Sequence, residues 1–230
     1  MTIHEPPILI TGAARSGTSM TAGIFDLCGG FGGKMRGATQ FNKRGMFENS
    51  MVVDGIVKPY LSWAGVDPML QNPLPDPKQL PSIDEFLGRP LREAVHEIFQ
   101  KQGYKKGKWY YKGAKMSLLW SLFHNAFPNA KWVIVRRRKD HIVNSCMKTH
   151  FMRNRSTEKE WEEWVDIHEK EFVNMHEAGL QVKEVWPSKF IEGDFREIID
   201  IIEWCGMKWN GKSVSEFVEP ALFSNRKKRR

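Results

Sequence analysis

The chain has 230 residues, of which 41% are hydrophobic and 12% aromatic; this excludes a disordered chain and supplies enough apolar material for one sizeable core. Its 35 lysines and arginines outweigh 27 aspartates and glutamates for a formal charge of +8, which favours an anionic partner such as nucleic acid, a membrane surface or a phosphorylated small molecule. Three cysteines, Cys28, Cys146 and Cys205, lie far apart and outside any CxxC pattern, which excludes a disulfide scaffold and a zinc knuckle. Residues 1–7 carry no basic stretch, and the apolar run 8–10 is too short for a signal peptide or a membrane span, so a cytoplasmic protein without a span is expected.

In chain order, residues 8–11 form a short apolar run that meets a glycine loop, and residues 18–27 then carry apolar side chains at near-helical spacing: strand, loop, helix. Gly29, Gly30, Gly32 and Gly33 stop that helix and open a connection to about residue 46. Residues 47–63 read as helix, 67–81 as an irregular excursion holding five prolines, and 83–102 as helix broken near Gly88 and Pro90. Residues 109–112 are aromatic enough for a buried strand, 117–127 read as a helix, 131–135 as a strand, and 140–149 as the helix after it. Thr157 and Glu160 fit a capping box ahead of a long amphipathic helix carrying Trp161, Trp164, Val165, His168, Phe172 and Met175 on one face. Residues 189–191 read as a last strand and 195–204 as a helix, before the basic run 226–230. Alternating strands and helices predict an α/β fold around a mostly parallel sheet.

The loop Gly12-Ala13-Ala14-Arg15-Ser16-Gly17-Thr18-Ser19 has the glycine spacing of a Walker A motif, in which small residues let backbone N–H groups point at phosphate oxygens and the following helix adds its positive end. Thr18 stands where the Walker lysine would be, so the side chain that reaches the β and γ phosphates of a triphosphate is missing. A dinucleotide fingerprint would need glycine at Ala14. Instead Arg15 supplies a cation and Ser16, Thr18 and Ser19 supply hydroxyls. A second anion clamp is predicted where Arg137, at a strand end, and Ser145, in the following helix, converge beside the sheet's carboxyl edge.

Taken together, Ala14 to Ser19 and the run Val133-Ile134-Val135-Arg136-Arg137 with Ser145 resemble the P-loop sulfotransferases that use 3′-phosphoadenosine 5′-phosphosulfate (PAPS). The resemblance implies a three-layer P-loop-type α/β fold, with a central mostly parallel sheet flanked by helices. It also implies one sulfotransferase-like domain over residues 1–225 and a basic tail over 226–230. Ala14, Arg15, Ser16, Gly17, Thr18 and Ser19 would hold the sulfonate-bearing end of PAPS, and Arg137 and Ser145 its 3′-phosphate. Arg136 rivals Arg137 because the basic run permits a slip of one position. The segment Asn42 to Asn49 resembles the N-x-x-G-[YF]-F-E stretch of bacterial and glycan-type members, and residues 189–206 resemble a late strand and helix of that fold.

Sulfuryl transfer needs a base for the acceptor and cations for the departing oxygen, with no metal expected. Small-molecule members place a histidine two residues after a strand-end lysine; here that stretch reads Lys112-Gly113-Ala114. Glu48 is therefore the candidate base by resemblance, with Lys112 preferred to Lys115, and Arg15 beside it, at the leaving oxygen. No HExxH pattern, zinc spacing or G-x-S-x-G elbow is present. The implied donor is PAPS, its product PAP, and the implied acceptor a small-molecule or glycan hydroxyl or amine, with no nucleic acid beyond the nucleotide. The excursion 67–81 and the helix 161–175 are expected either to supply acceptor contacts or simply to cover the core. Two other readings stay open on sequence alone: a nucleotide kinase or triphosphatase with a degenerate Walker loop, and a non-catalytic basic module that binds nucleic acid.

Overall fold

The computed structural model describes residues 3–40 and 42–222, so the basic run 226–230 lies outside the described residues. In chain order, β1 (Ile8–Thr11) leads into α1 (Thr18–Leu27). The helices α2 (Ser50–Val52) and α3 (Lys58–Trp63) follow, joined without a break by a π-helical turn over Val53–Val57. Next come α4 (Ile83–Leu87), α5 (Leu91–Lys101), β2 (Tyr110–Lys112), a 3-10 turn over Ala114–Leu118 and α6 (Trp120–Ala126). The remainder is β3 (Lys131–Val135), α7 (Lys139–Met147), α8 (Glu158–Glu177), β4 (Gln181–Val185), α9 (Pro187–Ile191), α10 (Arg196–Trp204) and α11 (Gly211–Phe217).

The four strands pair in parallel in the order β2-β1-β3-β4. Their side chains alternate between two cores, which is why the strands read as continuous apolar runs. Leu9, Trp132 and Ile134 face a core filled from α2 to α6 and α8, including Tyr60, Phe99, Phe123 and Phe172. Ile8, Ile10, Val133 and Val135 face the other core, with Ala22, Ile24 and Phe25 of α1 and Ile198, Ile201 and Ile202 of α10. Helices, sheet and helices thus form three layers. A smaller cluster packs Ile142, Val143 and Cys146 of α7 against Trp161, Trp164 and Val165 of α8, with Ala13 of the glycine loop between them.

Two expected elements are corrected. Residues 189–191 are helical, because Pro187 sits in the first turn of α9, where its missing N–H costs nothing. The last strand lies earlier, at Gln181–Val185, on the sheet edge; its half-exposed Lys183 and Glu184 hid it from an apolar-run criterion. The helix expected from residue 47 starts only at Ser50, because the Asn49 side chain accepts a hydrogen bond from Val52 N at 3.3 Å and so caps it. Phe47 and Glu48 therefore belong to the preceding loop, with Phe47 in the left-handed region at φ 51°.

The capping box at Thr157 is complete. Its Oγ1 accepts from Glu160 N at 3.2 Å, while Glu160 Oε2 accepts from Thr157 N at 2.8 Å. Thr157→Ala is expected to cost about 1 kcal/mol and to lower the melting temperature by a few degrees, read by circular dichroism. An unchanged melt would mean that burial of the Trp161 and Trp164 face alone sets the start of α8.

Candidate active site

Parallel register fixes which residues meet. Ile10 of β1 is level with Lys112 of β2 and with Val133 of β3, so the segments leaving all three strands emerge at the same carboxyl edge. Ligands of open α/β sheets bind at this edge. A cleft of about 370 Å³ opens there, and Ala14, Arg15, Gly17, Thr18, Ser19, Glu48, Lys112, Arg137 and Ser145 all line it. Ser16 is buried beneath the loop, and its Oγ has no hydrogen-bond partner. His141 and His150 do not line the cleft.

The glycine loop is held in a compact turn by a bond from Ser16 N to Ala13 O at 3.1 Å. Gly12 is at φ 154°, and a Cβ there would lie 2.5 Å from Val135 O, so only glycine lets the loop pass so close to β3. Arg15 and Gly17 both adopt left-handed backbone, at φ 72° and 106°. Left-handed residues of this kind are what an anion-binding nest requires to turn successive N–H groups toward one point, and these two stand ahead of α1.

Arg15 Nε donates to Ser145 Oγ at 3.0 Å, and an Arg137 NH1 donates to the Arg15 carbonyl at 2.6 Å. The loop, the β3 end and α7 are thereby tied into one unit. Burial, reinforced by the charge of Arg15, pushes Arg137 down to about 10, and burial also lowers Arg15. Two half-buried guanidiniums held this close repel each other, and an anion between them would relieve both. Arg136 points elsewhere. It pairs with Glu184 at 2.8 Å and with Glu169, and stacks over Phe172 and Trp186. The structure therefore brings Arg137, and not Arg136, to the loop.

On the β2 side, Lys112 is 3% exposed and Glu48 7%. Lys112 Nζ donates to Glu48 Oε1 at 2.9 Å, to Met46 O at 3.2 Å and to Ser19 Oγ at 3.3 Å, which uses all three ammonium hydrogens. An Arg36 NH1 lies 3.9 Å from Glu48 Oε2, while the rest of that guanidinium forks onto Asp54. Burial alone would raise the Glu48 carboxyl, but Lys112, Lys115 and Arg36 together outweigh it and hold the group below the usual carboxylate range. Glu48 is thus ionised at neutral pH and sits among cations.

The family model described as Sulfotransferase family matches residues 6–210. The chain belongs to the sulfotransferase family. No curated protein matches it. Among solved structures, it is similar to the sulfotransferase domain of the Synechococcus olefin synthase, at 11% identity and a TM-score of 0.60, over 98% of this chain and 88% of that one. It is similar to the sulfotransferase domain of the curacin biosynthetic pathway at 12% identity and a TM-score of 0.55, over 96% and 78% of the two chains. A sulfotransferase of Mycobacterium tuberculosis aligns at 12% identity and a TM-score of 0.52, over 94% and 71%. At such identities the likeness is one of fold.

The remaining walls of the sulfotransferase cleft come from irregular segments. Met69, Phe151 and Met152 line one side. Gln71, which sequence reasoning missed, holds that side together: its Nε2 donates to Phe151 O at 2.8 Å and its Oε1 accepts from Arg153 N at 2.9 Å. The excursion 67–81 thus reaches the cleft through Met69, whereas Trp161, Trp164 and Phe172 of α8 are core residues. Among the described residues no cluster of three or more His, Cys, Asp or Glu side chains could hold a metal, and no helix is long and apolar enough to cross a membrane.

Behind the cleft wall, His168 of α8 meets Ser117 of the 3-10 turn, with 2.7 Å between Nδ1 and Oγ, and burial pushes His168 down to about 3. The folded protein keeps this imidazole neutral while the unfolded chain protonates it near its ordinary value of 6.5. Its contribution is therefore present above about pH 6.5 and is lost as pH falls toward 3. Denaturant titrations of wild type and His168→Leu are expected to show a stability difference that narrows between pH 7 and pH 4. A constant difference across that range would mean that the histidine does not stay neutral in the fold.

Proposed function

We propose that this sulfotransferase moves the sulfuryl group of PAPS to a hydroxyl of a small-molecule or glycan acceptor. The observation that carries this reading is the union of two anion addresses through one arginine: Arg15 lies in the nest and its guanidinium bonds to Ser145, beside Arg137. PAPS carries anionic groups at both ends of one adenosine ribose, and a nucleoside triphosphate does not. The backbone N–H groups of the loop, with Thr18 and Ser19 on the cleft wall, fit the sulfonate-bearing phosphate, while Ser16 lies buried beneath the loop. Arg137 and Ser145 would hold the 3′-phosphate, the arginine by its charge and the serine by its hydroxyl.

In the proposed reaction the acceptor oxygen forms a bond to sulfur, while the bond from sulfur to the phosphate oxygen breaks. Glu48 takes the acceptor proton, and PAP leaves with the electron pair on its 5′-phosphate. Lys112 bridges Ser19 of the loop and Glu48, so it can stabilise the departing oxygen together with Arg15. A donor sulfonate drawing Lys112 toward itself would loosen the hold on Glu48 and strengthen it as a base. Positioning and charge thus carry the chemistry, as in phosphoryl transfer. Residues 1–225 serve as one catalytic domain in this reading.

Adenosine 3′,5′-bisphosphate is expected to raise the melting temperature well above the effect of equal concentrations of AMP or of ATP with magnesium. Equal shifts for all three would remove the 3′-phosphate from the proposal. Arg137→Ala is expected to weaken binding of the bisphosphate by about tenfold or more in calorimetry, because a charged hydrogen bond to phosphate is lost.

Glu48→Gln keeps the shape of the side chain and should preserve bisphosphate binding while lowering kcat by about 100-fold or more with PAPS. Unchanged turnover in this variant would exclude Glu48 as the base.

A further inference from the structure

The cleft holds more positive charge than the donor site uses. Arg15, Arg36, Lys43, Arg44, Lys112, Lys115 and Arg137 line it against the two carboxylates Glu48 and Glu219. Most of these cations are committed. Arg36 pairs with Asp54, and Arg44 pairs with Glu219 at 3.2 Å while lying over Phe217. Lys112 is saturated by Glu48, Met46 and Ser19, and Arg15 and Arg137 belong to the loop unit. Lys115 is different. It sits in the 3-10 turn after β2, lines the cleft, and among the described residues makes no hydrogen bond or ion pair.

Within the protein, Glu48 is the one group that favours a cation there. Burial lowers the Lys115 ammonium, Glu48 pulls the other way, and Lys58, Lys112 and Arg36 lower it further. The single carboxylate that attracts it is already bonded to Lys112. A partly desolvated ammonium among like charges costs free energy unless an anion joins it. Lys112 bonds to the glycine loop through Ser19, whereas Lys115 makes no hydrogen bond to that loop among the described residues, so the donor addresses do not account for it.

We propose that Lys115 is an acceptor-binding residue, and that the acceptor of this sulfotransferase carries an acidic group, a carboxylate or a phosphate, close to the hydroxyl that is sulfated. This rests on the reading of the cleft as a site for PAPS and a hydroxyl acceptor. With the acidic group on Lys115, the neighbouring hydroxyl is brought to the region of Glu48. The exposed Lys43 at the rim adds to the same positive field without fixing a position.

The test uses the full chain saturated with adenosine 3′,5′-bisphosphate and titrated calorimetrically with two matched probe pairs. One pair is 2-hydroxyphenylacetate and 2-hydroxyphenylacetamide; the other is glycerol 3-phosphate and glycerol. The charged member of at least one pair is expected to bind about tenfold tighter than its neutral partner, and which pair responds separates a carboxylate from a phosphate. Lys115→Met should erase that margin and leave neutral-probe binding unchanged, while Lys115→Arg should restore most of it; melting curves of both variants confirm the fold. With PAPS in place of the bisphosphate, the same loss should appear in KM for the charged probe and not in kcat.

Equal binding within both pairs overturns the proposal. So does an equal loss of turnover with charged and neutral probes in Lys115→Met, because Lys115 would then act only on Glu48. If the bisphosphate itself fails to bind the wild-type chain, the donor reading falls first and this inference falls with it.

Discussion

Parallel pairing of β1 with both β2 and β3 is the constraint on which the rest of the site depends. Parallel strands leave the sheet in the same direction, so segments that begin at Gly12, Gly113 and Arg136 must emerge along one edge despite their separation in sequence. Three kinds of chemistry meet there. The first segment provides backbone N–H groups, the second follows the buried Lys112 and provides the half-buried Lys115, and the third provides an arginine and, one helix later, a hydroxyl. The close pass of Gly12 against Val135 O locks the first segment to the third, and the bond from Thr11 Oγ1 to Gly113 O at 3.0 Å locks it to the second.

That arrangement concentrates positive charge, and the fold limits the cost in two ways. Glu48 is placed among the lysines by a loop rather than a helix, so it can turn its carboxylate inward to Lys112 and Arg36. Arg136, the neighbour of Arg137, is rotated to the opposite side of β3 by strand alternation and is neutralised there by Glu169 and Glu184. Taking a buried ion pair out of water costs several kcal/mol, and good geometry at best offsets that cost, so the pair at Glu48 and Lys112 adds little to stability.

The parts of this site that local pattern could reveal are those in which function and backbone share a short stretch. Gly12 and Gly17 mark the loop, the apolar run before them marks β1, and Thr157 with Glu160 marks the start of α8; each signal lies within about a dozen residues and has one physical cause. Arg137 was distinguishable from Arg136 only once β3 had a partner, because both sit at the same strand end and the difference is the face on which each emerges. β4 escaped notice because an edge strand needs no continuous apolar run, and α9 was mistaken for it because Phe190 is buried by a helix as readily as by a strand. The roles of Gln71 and Lys115 could not be read locally. Gln71 acts on residues some eighty positions away, and Lys115 is informative through what does not surround it.

This division also explains why family membership constrains the two halves of the cleft so differently. The half with the glycine loop, Arg137 and Ser145 is built from strand ends and helix starts, whose positions follow from the sheet and its two cores. The opposite wall hangs on side-chain bonds between loops: Asp67 accepts from Met69 N, Gln71 N and Asn154 Nδ2, and Gln71 in turn holds residues 151–155. Those bonds do not depend on the register of the sheet, so such a wall can change shape and charge while the loop, the sheet and the arginines stay in place. Shared fold at 11–12% identity therefore speaks to the first half and is silent on the second. Electrostatics remains the usable signal there, because a cation with no hydrogen-bond or ion-pair partner among the described residues carries information that neither periodicity nor fold supplies.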